Sequence, residues 1–490
     1  MRQPGTLQSG KLQPASRAAR FLPFAVALLA VCIPGLAFAA EPVLGPDLTA
    51  HWAGYAAIAI FALAYLFVIA EEFTGLRKSQ PVMLAAGVIW GVLAVAAAAE
   101  GQADGLHAAV GSYLLEFAEL LLFLLAAMTY VNAMSERNLF EGLRVRLLKR
   151  GFGYRQLFWV TGTLAFFLSP IIDNLTTALV MCAVVLAVGR DSPKFVAMAC
   201  INIVVAANAG GAFSPFGDIT TLMVWQRGIL PFSTFFALFL PSLVNWLVPA
   251  LLMHFAVPQG NPPPASGRVR IKRGAWVIVG LFVVTIVLAV SFHNFLHLPP
   301  FMGMMTGLAL LKLYGWHLQR IASAIQAEEF KREGAPGDVD AFDSYEQVAR
   351  AEWDTLLFFF GVIMCVGALG YCGYLALGSQ WFYGELGATK ANILVGLMSA
   401  ILDNIPMMVA VLQMNPVMDQ GQWLLVTLTA GVGGSLLSIG SAAGVALMGQ
   451  AHGQYTFFSH LKWTWAIALG YAASIAVHLF INARYFTGVA

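Results

Sequence analysis

Residues 169–178 read Ser169-Pro-Ile-Ile-Asp-Asn-Leu-Thr-Thr-Ala178, and residues 399–408 read Ser399-Ala-Ile-Leu-Asp-Asn-Ile-Pro-Met-Met408. Each stretch sets a carboxylate and an amide, Asp173-Asn174 and Asp403-Asn404, four residues after a serine and deep in apolar sequence. A charged side chain at the centre of a bilayer costs roughly 2.5–3.5 kcal/mol on insertion scales. Two such pairs in matching surroundings point to a repeated device that handles a charged substrate.

The surroundings are those of an all-α polytopic membrane protein. The chain is 59% hydrophobic and 11% charged, against about 25% charged in soluble domains. Its formal net charge of +2 says nothing about nucleic acid by itself, but its charges gather in a few loops rather than on one basic face, and no nucleic-acid partner is expected. Full spans are predicted near 51–70, 82–99, 109–133, 231–256, 275–296, 299–315, 353–377 and 463–485, each long and apolar enough to cross. The stretches 155–190 and 391–418 are interrupted at the Asp-Asn pairs, and 195–227 and 422–451 by clusters of Gly and Ser. Residues 1–40 carry Arg2, Lys11, Arg17 and Arg20, then an apolar run and Ala37-Phe-Ala39, the pattern of a signal peptide or an extra N-terminal helix. Residues 136–150 mix charges with Leu and Phe and suggest an interfacial helix;. The five cysteines, Cys32, Cys182, Cys200, Cys365 and Cys372, lie in apolar segments without metal-site spacing, so they are read as packing residues.

Lysine and arginine orient the spans, because cytoplasmic loops collect them. The basic loops are Arg77-Lys78, the run from Arg137 to Arg155, Arg190 with Lys194, Arg268 to Arg273, and Lys312 to Arg350. With these inside, 155–190 has to be a re-entrant hairpin entering from the cytoplasm, and 391–418 one entering from the opposite face. The fold expected is an inverted-topology repeat with two re-entrant helical hairpins and two broken transmembrane helices, and binding at the repeat interface. The first repeat covers 41–257, a Pro-rich and basic cytoplasmic linker 258–274, and the second repeat 275–490. Asn208-Ala-Gly-Gly-Ala-Phe-Ser-Pro-Phe-Gly-Asp218 aligns without a gap on Gly431-Val-Gly-Gly-Ser-Leu-Leu-Ser-Ile-Gly-Ser441. Asp218 falls on Ser441 and Asn208 on Gly431, so the first half carries more acid. Unwound helix of this composition persists only where protein or a polar cavity satisfies its backbone.

The polar groups at these breaks are those a small hard cation requires: carboxylate, amide, hydroxyl and helix-end carbonyl oxygens. Candidates for cation and proton binding are Ser169, Asp173, Asn174, Thr176, Asn208, Asp218, Thr220, Thr221, Ser399, Asp403, Asn404, Ser438 and Ser441, with Na⁺ or Li⁺ held at the two Asp-Asn pairs. The plainer reading is that these groups only cap helix ends. A carboxylate accepts either a proton or a metal cation, and competition for one site with alternating access yields exchange. Convergence of Asp173, Asp218 and Asp403 on one cavity is expected. Glu116 and Glu119 share one helix face and Asp354 begins a span; these are candidates for a proton pathway or for structural acids. The sequence shows no nucleotide-binding loop and no convincing metalloenzyme or nucleophile constellation, so neither an ATP-driven pump nor an enzyme is expected of this chain; a membrane enzyme or a non-transporting sensor is the more distant rival.

The hairpin and Gly-rich motifs, Ser169 to Ala178, Asn208 to Thr221 and Ser399 to Pro406, resemble those of NhaD-type sodium/proton antiporters. That family belongs to an ion-transporter superfamily shared with arsenite permeases and sodium-coupled dicarboxylate carriers. The resemblance runs from about residue 50 to the C-terminus. It implies a secondary transporter of the inner membrane, without cofactor, exporting Na⁺ or Li⁺ against protons in sodium and pH homeostasis. It also implies a homodimer with an elevator-like transport domain. An arsenite or anion permease, or a carboxylate carrier, is the rival within the superfamily. Carboxylate carriers receive their anion on Ser-Asn-Thr motifs, whereas Asp173 and Asp403 set negative charge at those tips and favour a cation.

Overall fold

The computed structural model describes residues 45–100, 103–189, 191–262, 269–333 and 342–488. The signal-peptide reading and Cys32 lie outside them. The other four cysteines are buried and free. Nine of the described helices are long and apolar enough to cross a bilayer, which makes the chain a polytopic helical membrane protein.

The first half comprises α1 (Trp52–Ile69), α2 (Ser79–Glu100), α3 (Ala103–Glu136), α4 (Leu139–Leu148), α5 (Tyr154–Ile172), α6 (Asn174–Val188), α7 (Pro193–Gly211), α8 (Ile219–Gln226) and α9 (Phe239–His254). The second comprises α10 (Ala275–Leu296), α11 (Pro300–Glu333), α12 (Ser344–Ala349), α13 (Trp353–Tyr371), α14 (Tyr374–Ser379), α15 (Ala388–Leu402), α16 (Asn404–Met414), α17 (Gln420–Gly433), α18 (Ala442–Gln450), α19 (Phe457–Leu461) and α20 (Thr464–Ile481). Two differences from the sequence reading have simple causes. The 299–315 span is the start of the 34-residue α11, which is not among the nine because Lys312, Tyr314, Trp316 and His317 dilute its apolar content. The 353–377 span ends at Tyr371, and Gly373 turns the chain with φ 93° before α14, a conformation only glycine adopts freely.

Burial separates a centre from a periphery. The α7 span is 89% buried, whereas those of α1 and α10 are 28% buried, so α7 runs through protein and α1 and α10 present apolar surface outward. One apolar core, built from α1, α2 and α13, includes Ala57, Ile89, Leu93 and Cys365. A larger one surrounds the hairpins and broken helices.

The same contacts recur in both halves. The Ser169 hydroxyl donates to the Ala207 carbonyl at 2.6 Å, and that of Ser399 to Ala430 at 2.9 Å. Gly210 lies against the Phe166 carbonyl and Gly433 against that of Gly396; a Cβ at either glycine would sit well inside contact distance. Helix α5 packs on α7 and α15 on α17, and the halves then cross: α18 packs on α6, and α8 on α16. The glycines let each hairpin seat on its broken helix. Gly433→Ala forces a methyl group onto backbone, and overpacking of this kind costs about 1–3 kcal/mol or more. The purified variant is expected to melt at lower temperature in detergent. Gly280→Ala, with nothing within 4 Å of the new carbon, is expected to melt as the parent does.

Candidate functional site

One residue alone breaks each hairpin. Asp173 stands between α5 and α6 with φ 91° and ψ 157°, and Asp403 between α15 and α16 with φ 66° and ψ 151°. Side chains other than glycine's enter this region at a cost of about 1–3 kcal/mol, and such residues cluster at functional sites. Each carboxylate caps the helix that follows. Asp173 accepts from the Thr176 N–H and hydroxyl, both at 2.8 Å, and Asp403 from the Asn404 N–H at 2.8 Å. Capping and binding therefore coexist in the same residues.

The centre of the site is Asp218, fully withdrawn from solvent where α7 has unwound. It caps α8 through the Thr220 N–H and hydroxyl, both at 3.0 Å. The amides of both hairpin tips reach it. Asn404 Nδ2 donates to both its oxygens at 3.2 Å. Asn174 Nδ2 donates to Oδ2 at 3.4 Å and to Asn208 Oδ1 at 3.1 Å. Asn208 Nδ2 in turn donates to Ser435 Oγ at 2.8 Å. Gly431, the counterpart of Asn208, leaves room there: a Cβ would stand 3.3 Å from Asp218 Oδ2.

Asp173, Asn174, Asp218 and Asn404 line one cavity together with Lys78 and Thr355, walled by Phe123, Phe216, Phe282 and Phe359. Asp173 also faces a smaller pocket with Thr176, Asn132 and Glu352. A polar cluster inside aromatic walls strengthens every electrostatic interaction it makes. Four oxygen-bearing side chains around one buried carboxylate suit a small hard cation or a proton.

Other predicted residues stand apart. Ser169 and Ser399 pin the hairpins to the broken helices and do not face the cavity. Thr221 donates to the Ala212 carbonyl at 3.4 Å. Ser441 caps α18 through the Gly444 N–H, and Ser438 lies 3.3 Å from the Met448 sulfur. The expected convergence of three carboxylates is replaced by another arrangement: Asn404 meets Asp218, while Asp403 is turned to Lys78, whose Nζ lies 3.5 Å from Oδ2. The cap to Asn404 N–H holds it there. Glu116 pairs with Arg227 at 2.7 Å, Asp354 accepts from the Ser79 hydroxyl, and Glu119 is partly buried on α3 outside the cavity.

Lys78 and Glu352 escaped the sequence reading, which placed Lys78 in a basic loop and did not single out Glu352. Lys78 directly precedes the apolar run of α2, which is the one local signal it gives. His460, at a predicted span end, is instead fully buried between Tyr455 and the Ser435 carbonyl, at 2.8 Å from each.

The citrate transporter family model, CitMHS, matches residues 25–431. The Na(+)/H(+) antiporter NhaD of Vibrio cholerae is 57% identical over 450 residues, covering 90% of this chain and 94% of that protein. That of Alkalimonas amylolytica is 54% identical, with 92% and 95% covered. Sodium/proton antiporter 1 of Arabidopsis thaliana is 31% identical, with 87% of this chain and 72% of its own covered.

Proposed function

Because the chain belongs to the NhaD sodium/proton antiporters, and to the wider family described by the citrate transporter model, we propose that Asp218 and the two hairpin tips form its one exchange site. The chain is a multi-pass membrane protein that moves Na⁺ and H⁺ in exchange, and it is not an enzyme. The observation that carries the site is the meeting of Asn174 and Asn404, one from each tip, on the Asp218 carboxylate.

Without a cation, the amide N–H groups satisfy Asp218. A dehydrated Na⁺ requires oxygens in their place, and both amides can turn to present their carbonyls, with the Thr220 hydroxyl and Asn208 beside them. A proton on the carboxylate neutralises the same charge. The two cargoes therefore exclude one another, and the site crosses the membrane neutralised by one or the other. Li⁺ fits the same oxygens and is proposed as a second substrate. A citrate-like anion would meet Asp173 and Asp218 directly, which disfavours it.

Access follows from the two repeats, 41–257 and 275–490, inserted with opposite topology. The hairpins and broken helices travel together as an elevator against α1, α2, α3, α10, α11 and α13. The contacts of the tips with Lys78 and the Glu352 pocket, at the cytoplasmic starts of α2 and α13, support an inward-facing state. A homodimer in the inner membrane, exporting Na⁺ as protons enter, serves sodium and pH homeostasis.

Everted vesicles containing the protein and energised to an acid interior test this. Added Na⁺ and Li⁺ are expected to dequench a pH-sensitive dye between pH 7 and 9.5, and citrate is not. A dye response to citrate alone would replace the cation site with an anion site.

A further inference from the structure

We propose that Lys78 is a tethered counter-cation: it occupies the second hairpin tip in the cation-free, inward-facing protein and yields to the transported ion. The proposal rests on the antiporter reading above. Lys78 Nζ lies 3.5 Å from Asp403 Oδ2, with the two side chains 15% and 12% exposed. The ammonium also stands 4.5 Å from the centre of the Phe358 ring, within range of a cation–π attraction. It lines the cavity that holds Asp173, Asp218 and Asn404. The neighbouring acid Asp354 accepts from the Ser79 hydroxyl and Glu352 lies within electrostatic reach of the lysine, while the ion pair itself is made to Asp403 at the tip.

Three features distinguish this pair from a structural one. Charge-assisted N–H···O bonds run at about 2.7–2.9 Å, so a 3.5 Å pair attracts without locking. Lysine is a compact charge on a flexible stem, able to swing away, where arginine grips a carboxylate in a fixed fork. The partners also come from different parts: Lys78 precedes α2, in the proposed frame, and Asp403 caps α16, in the proposed moving unit. The pair forms only while the tip faces the cytoplasm. A cation arriving from that side then meets a site whose charge is already partly compensated, and it has to displace the ammonium to gain the full field of Asp403. Lys78 thereby sets the affinity for the cytoplasmic ion and keeps the empty site from holding an uncompensated acid.

Everted vesicles expose the cytoplasmic face, so the KM for added Na⁺ reads this competition. Lys78→Gln and Lys78→Met are expected to lower that KM about fivefold, the equivalent of ~1 kcal/mol for a partly exposed pair. Lys78→Arg is expected to keep KM within about twofold of the parent, since the charge remains. With Asp403→Asn already present, Lys78→Gln is expected to leave unchanged the Na⁺ concentration that half-raises the melting temperature of the purified protein, a readout of binding that does not need exchange. Protein levels in the membrane are followed by immunoblot, and either neutral variant that inserts decides the matter. An unchanged KM in that variant, or an about fivefold fall of the half-raising Na⁺ concentration in the Asp403→Asn background, overturns the proposal. Absence of exchange in the parent would instead indict the antiporter reading itself.

Discussion

Asp218→Asn is expected to abolish Na⁺-dependent proton movement while the protein still reaches the membrane. Asparagine is nearly the same size, and its carbonyl oxygen can still cap α8 at the Thr220 N–H, so the local fold survives. What disappears is the negative charge that both tip amides address. Removing one charge from a buried ionic partnership costs about 3–5 kcal/mol, more than about a hundredfold in binding. Dye dequenching in everted vesicles reads the exchange, and the Na⁺-dependent rise in melting temperature of purified protein reads the binding. Both are expected to vanish together. A parental rate in this variant would remove Asp218 from the site.

Asp173→Asn is expected to separate the same two measurements. Asp173 lies at the junction of the main cavity and the pocket shared with Thr176 and Glu352. It lines both, which suits a place on the proposed proton route, and its carboxylate is bonded to Thr176. Asparagine keeps the cap but cannot take up and release a proton. Exchange is expected to fall about a hundredfold, the lower end of the contribution of a positioned acid–base group. The Na⁺-dependent thermal shift is expected to persist, because Asp218 and both amides remain. Loss of that shift along with exchange would make Asp173 a direct cation ligand; retention of the parental rate would remove it from the proton route.

Much of this arrangement is visible in the sequence because it is local. A lone acid between two apolar runs announces a helix break, and the helices end at Ile172 and Leu402 and resume at Asn174 and Asn404. The Gly-rich stretches likewise mark the unwound segments before Asp218 and Ser441. What escapes is the pairing through space. Nothing near residue 78 tells that its ammonium meets residue 403. No pattern foretells that Asn404, and not its neighbour Asp403, turns toward Asp218, since that depends on which oxygen the backbone cap takes. His460 illustrates the same limit: its position at a span end suggests an interface, and the fold of 451–463 buries it.

Gly431 carries a consequence for stoichiometry. Along the aligned breaks the two halves match glycine for glycine, yet asparagine stands at 208 and glycine at 431, aspartate at 218 and serine at 441. A Cβ at 431 would stand 3.3 Å from Asp218 Oδ2, already a tight contact before any larger side chain is added. On the proposed repeat reading the frame is doubled, while the central acid stands in one half only. If the proposed site carries the exchange, the number of cations per cycle is bounded by a single central carboxylate, and the proton count by that carboxylate and the few acids around it. On that reading the two halves stay alike in their paired hairpins and Gly-rich breaks and part company at the position of the central acid.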